Sequence, residues 1–177
     1  IGNASTFGED LGLGRGVGTP TIEVFSGSGT PITATSLQIA LQGAPDAGPG
    51  HTSGVTYVTY IETTPEKLWQ ALTDGDFTER YWFAHRVASD WNVGSNYHFT
   101  LKGEKRLEGK VLISEPPRKL VYSWNGCAEE FRRERTSRVT FDLEPRGNVV
   151  RLTLTHDNLD EAGVTFRGIS EGWPMVL

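Results

Sequence analysis

Residues 64–82 read TPEKLWQALTDGDFTERYW. Thr64 carries the hydroxyl of an N-cap, and Pro65 suits the first helical position, where a missing N–H costs nothing. Leu68, Trp69, Ala71 and Leu72 recur at helical spacing and make one apolar stripe. Asp74-Gly75 ends that helix. Asp76 with Glu79 three residues later reads as a capping box for a second short helix, closing on Tyr81-Trp82-Phe83. Almost everything after it reads as strand, so this helix pair is what a sheet curls around.

Upstream, the composition changes near residue 52. The first 50 residues hold 11 of the 21 glycines and none of the five tryptophans. Two short strands are expected there, Thr21 to Phe25 and Leu37 to Gln42, between Gly, Pro and Ser breakers. The run Gly12 to Gly18 has the glycine density of a phosphate loop, but Thr19-Pro20 and a strand follow it where a helix would be needed. Ala44 to Gly50 reads as a linker. Residues 1–52 are therefore expected to form a glycine-rich segment and linker, whose origin need not be that of the domain expected over 53–177. The chain starts at Ile1 and its one methionine is Met175, which reads as a fragment, a processed chain or an incomplete frame.

Downstream, Val55 to Glu62 is a strand rich in β-branched and aromatic residues. Arg86 to Trp91, Asn96 to Lys102, Leu107 to Ser114 and Leu120 to Trp124 follow, with a turn at Asn92 to Ser95 and a break at Glu115-Pro116-Pro117-Arg118. Tyr97, Phe99 and Leu101 share one face, as do Leu120, Tyr122 and Trp124. Cys127 to Thr136 is a charged loop. Ser137 to Glu144 and Val149 to His156 make the clearest hairpin, with Val139, Phe141 and Leu143 facing Leu152, Leu154 and His156. After a loop through Asp157 to Arg167, Ser170 to Leu177 opens a final helix.

This order of elements is α+β. In it, TPEKLWQALTD, YW, SDWNVGS, GKVLISEPPRKLVYSW, SRVTFDLEP, RLTLTHDNL and SEGWPM occur in sequence. Over about residues 55–177 these motifs resemble the heat-shock-protein-90 ATPase activator homologue-like family of the START-like, or Bet v 1-like, superfamily, also called SRPBCC. The resemblance implies a helix-grip fold: a curved antiparallel sheet around a C-terminal helix, with the short helix pair at one end and a cavity for apolar small molecules. The family's last helix runs well past GWPM, so here a truncated helix is expected to leave the concave sheet face partly uncovered, with no closed ligand cavity. Residues 1–50 are faintly similar to strand-rich phage virion structural proteins.

The chemistry legible in the residues is sparse. His51, His85, His98 and His156 lack the pairing and the cysteine neighbours of a metal site, and no metal or cofactor is expected. No nucleophile motif occurs, and Cys127 has no recognisable histidine partner. Asp142 and Glu144 alternate with apolar residues and belong to the solvent face, and Arg132, Arg133 and Arg135 are interleaved with Glu129, Glu130 and Glu134 in a solvated loop. The aromatics are what remains. Trp82, Tyr97, Phe99, Tyr122, Trp124, Phe141, His156 and Trp173 are the candidate pocket residues, against the reading that they simply fill a core.

A net charge of −5 and a pI near 5.4 argue against a nucleic-acid or anionic-membrane partner. No apolar run approaches the roughly 20 residues of a bilayer span, no signal peptide is expected, and a lone cysteine suits a reducing, cytoplasmic setting. The expected function is a binding domain for a small hydrophobic or amphipathic ligand, without a catalytic constellation. The resemblance keeps two alternatives open: a co-chaperone-like interaction module of the stress response, with a chaperone as partner, and a polyketide cyclase- or hydrolase-like enzyme, which would need an acid/base pair in the cavity.

Overall fold

The computed structural model describes residues 23–25, 31–40, 53–160 and 162–177. The Gly12–Gly18 run and the Ala44–Gly50 stretch lie outside them. Strands β1 (Glu23–Phe25), β2 (Pro31–Ala40) and β3 (Ser53–Ile61) come first, followed by helices α1 (Pro65–Thr73) and α2 (Gly75–Tyr81). Then come β4 (Arg86–Ala88), β5 (Asn96–Leu101), β6 (Glu104–Glu115), β7 (Lys119–Gly126), the single turn α3 (Glu129–Arg132), β8 (Ser137–Arg146), β9 (Val149–Leu159) and α4 (Val164–Val176).

All strand pairs are antiparallel, in the order β1-β2-β3-β9-β8-β7-β6-β5-β4. Strands β3 to β9 make the helix-grip sheet, and β2 extends it at the β3 edge, beginning six residues before the strand expected at Leu37. Register shifts within the β3–β9, β5–β6 and β6–β7 pairs give bulges, which bend a sheet. One face of the sheet is apolar. Val55, Tyr57, Thr59 and Ile61 of β3 lie opposite His156, Leu154, Leu152 and Val150 of β9, and all eight are buried. Val139, Phe141 and Leu143 of β8 oppose His156, Leu154 and Leu152, the pairing that alternation in the sequence anticipates.

Helix α1 starts as expected, with the Thr64 hydroxyl accepting from Lys67 N. The cap of α2 differs. Asp74, not Asp76, is its N-cap, with Oδ1 accepting from Asp76 N at 2.7 Å. Asp76 and Glu79 instead hold the Arg86 guanidinium, at 2.5 and 2.8 Å. Strand β4 also ends early, because Trp91 turns left-handed (φ 58°) and puts its indole N–H on the Thr73 carbonyl, one of the orphan acceptors at the end of α1.

Helix α4 begins at Val164, six residues before the expected Ser170, and runs for 13 residues. Its start was invisible locally because Gly163 offers no side-chain cap. Glu134 supplies one from the charged loop: its carboxylate accepts from Val164 N and from Thr165 N, the latter at 3.1 Å. Ile169, Trp173, Val176 and Leu177 press onto the sheet and are each under 8% exposed. The expectation of a partly uncovered concave face is therefore not met among the described residues.

Candidate functional site

The eight candidate residues come together in one aromatic cluster. Trp82, set at the end of α2, lies 4.7 Å from Phe99, 5.1 Å from Trp173 and 6.3 Å from Trp124, ring centre to ring centre. Trp173 reaches Trp124 at 5.5 Å and Phe141 at 6.1 Å. Tyr97 and Tyr122, at 4.5 Å, extend the cluster along β5 and β7. Strand alternation delivers these rings to one face, and helix periodicity delivers Trp173 to meet them. Trp91, not among the candidates, stacks on Tyr97 at 6.1 Å.

Tyr97, His156 and Trp173 have their side-chain polar atoms tied inward. Tyr97 donates to the Ser123 carbonyl at 2.7 Å, and burial pushes the phenols of Tyr97 and Tyr122 well above the usual tyrosine range. His156 is fully buried. Its Nδ1 lies 3.1 Å from the Trp173 indole N–H, and its Nε2 lies 2.8 Å from the Ser137 hydroxyl. Indole is a donor only, so Nδ1 must accept and the ring proton must sit on Nε2. Nε2 then donates to Ser137, whose own hydrogen points to the Trp124 carbonyl at 3.5 Å. A serine nucleophile needs the reverse, an unprotonated nitrogen taking the hydroxyl proton. Burial lowers the His156 pKa to about 3, so the ring stays neutral. Ser137 was missed in the sequence, although it stands one alternation step before Val139.

Beside the cluster, an apolar cleft of about 20 Å³ lies among α1, α2, the sheet and the end of α4. Leu68, Ala71 and Leu72 of α1 form one wall, and Ile61, Phe141 and Leu152 the floor. Tyr81 and Trp82 close one side, Val176 and Leu177 the other. Of the eight candidates, only Trp82 and Phe141 line it; the other six lie in the surrounding packing. The Tyr81 hydroxyl, the polar group on this wall, is turned to the Ala71 carbonyl at 3.0 Å. The volume is that of about one water, against roughly 300 Å³ or more for a drug-sized ligand pocket.

The remaining candidates for chemistry are dispersed. Among the described residues no three His, Cys, Asp or Glu side chains converge as a metal site would require, and no helix is long and apolar enough to cross a membrane. Asp142 pairs with Lys119, and Glu144 with Arg146 and Arg151, on the outer face. Burial raises the Cys127 thiol, the opposite of what a nucleophile requires.

The family described as Activator of Hsp90 ATPase homolog 1-like protein matches residues 62–177. No protein of curated function matches the chain. Among solved structures, CalU16 from Micromonospora echinospora is similar with a TM-score of 0.60 and 23% identity, covering 80% of this chain and 82% of that one. Protein MLL2253 from Mesorhizobium loti has a TM-score of 0.58 and 29% identity, covering 68% and 90% respectively. An HSP90 activator from Plasmodium falciparum has a TM-score of 0.57 and 23% identity, covering 70% and 88%.

Proposed function

Since the chain belongs to the Activator of Hsp90 ATPase homolog 1-like family, with its START-like fold, we propose that it binds a small apolar or amphipathic molecule without transforming it. The observation that carries this reading is the cleft bounded by Trp82, a hydrocarbon-lined space at the junction of three helices and the sheet. Its size means that a ligand enters only as the end of α4 or the helix pair gives way. Burying about 250 Å² of ligand hydrocarbon contributes roughly 6 kcal/mol, and part of that is spent on opening. Binding in the micromolar range or weaker is the expectation. No carboxylate or histidine lines the cleft among the described residues, which favours holding over catalysis. We place the protein in the cytoplasm, in keeping with its single cysteine.

Native mass spectrometry of protein purified from cells tests this. A retained small molecule, released on denaturation, is the expected result. No retained mass, together with no saturable binding of an apolar dye, would sink the reading. A second reading follows from family membership, that the domain contacts a chaperone. Stimulation of a heat-shock-protein-90 ATPase by the purified protein would favour it over ligand carriage.

A further inference from the structure

Trp173 sits in the core as a bound ligand sits in a site. Its indole is 2% exposed and is enclosed by Trp82, Trp124, Phe141 and His156, each with its ring centre within 6.1 Å. Its one polar atom is also met, since Nε1–H donates to His156 Nδ1 at 3.1 Å. Ser137 holds His156 from the other side, at 2.8 Å, and so keeps Nδ1 free to accept. Caging rings with one oriented acceptor are the recognition pattern of a small-molecule site.

The segment that carries Trp173 has a gap in its own hydrogen-bond ladder. Pro174 lies inside α4 and removes the hydrogen bond that residue 174 would give to the Ser170 carbonyl. Tyr57 replaces it only at 3.4 Å. Gly168 and Gly172 lie in the same helix with nothing within 4 Å of where a Cβ would stand, so close packing does not require them there. The cleft shares Trp82 and Phe141 with the cage and is closed by Val176 and Leu177 of the same segment.

From this juxtaposition we propose that Trp173 is a displaceable internal occupant of the cage. The external ligand is a planar aromatic molecule with one hydrogen-bond donor, which stacks among Trp82, Trp124 and Phe141 and donates to His156 Nδ1 while the end of α4 swings away. The inference rests on the apolar-ligand reading and adds to it the ligand's chemical class and its built-in competitor. A tethered ring competes at high effective concentration, so a successful ligand must bury more surface than an indole.

Calorimetric titration of the whole chain with 2-naphthol and with naphthalene, paired with hydrogen exchange over residues 164–177, tests it. Binding of 2-naphthol should be roughly fivefold tighter, the worth of one hydrogen bond, and should speed exchange in the last turns of α4. Trp173→Phe keeps a ring but loses the donor, and should tighten 2-naphthol binding by about fivefold. Should that variant not fold, the wild-type comparison decides. Equal affinities for the two molecules, or binding without faster exchange in α4, overturn the internal-occupant inference and leave the apolar-ligand reading standing. Binding of neither molecule also overturns the inference, while the apolar-ligand reading then stands or falls on the retained mass and the dye.

Discussion

The Tyr57 hydroxyl donates to the Ser170 carbonyl at 3.4 Å, across 113 residues of chain. That carbonyl is the acceptor that Pro174 leaves without its helical donor. A residue in the first strand of the helix-grip sheet thus mends a defect in the last helix. Burial pushes the Tyr57 phenol up to about 12, so it keeps its hydrogen at any ordinary pH. Tyr57→Phe should cost about 1 kcal/mol, because a part-buried carbonyl loses its partner. Chemical denaturation measures this. Pro174→Ala restores the helical N–H, so adding Tyr57→Phe to that variant should cost less than it does alone; equal costs would show that the two residues are not coupled.

Glu134 predicts a similar long-range effect at the other end of α4. Its carboxylate meets two N–H groups that Gly163 cannot cap. Glu134→Ala should destabilise the protein by about 1–2 kcal/mol, the ordinary worth of an N-cap, and should speed hydrogen exchange most at residues 164–167. Uniformly faster exchange along the chain would instead indicate a global loss unrelated to capping.

His156 sets a pH dependence. Its folded pKa of about 3 lies below the ordinary 6.5, because burial disfavours the charged ring. Between these values the unfolded chain binds a proton that the folded protein refuses. Stability from this group is therefore complete above about pH 6.5 and falls as pH drops toward 3, by up to ~1.4 kcal/mol per unit. Urea unfolding between pH 4 and 7 should show a steeper slope for the wild type than for His156→Gln. Parallel slopes would mean that His156 charges in the folded state.

Trp82 separates core from pocket. It is 8% exposed and touches four other rings, those of Tyr81, Phe99, Trp124 and Trp173. Trp82→Ala should cost about 3 kcal/mol or more if that packing dominates. A loss under about 1 kcal/mol, with altered binding of an apolar dye, would mark it as lining a space that already opens in solution.

Periodicity made the sheet legible. Val139, Phe141 and Leu143 alternate, as do Leu152, Leu154 and His156, and the structure pairs them as the alternation requires. Thr64-Pro65 announced α1, because its cap and first turn are adjacent in sequence. What misled were signals with two local solutions: Asp76 and Glu79 look like a capping box, yet both are drawn to Arg86, and Asp74 caps instead.

The sequence by itself determined the order of elements, the inward face of each strand and the family, because these depend on residue spacing and on motifs that lie along the chain. Only the tertiary structure decided where α4 begins, which proton His156 carries and how little space the aromatic cluster leaves. Each of these rests on a partner remote in sequence: Glu134 for Val164, Trp173 for His156, Trp82 for Trp173. Local spacing carries no record of such meetings. Whether a set of aromatics is a pocket or a core is a matter of packed volume, and volume exists only once the chain has folded.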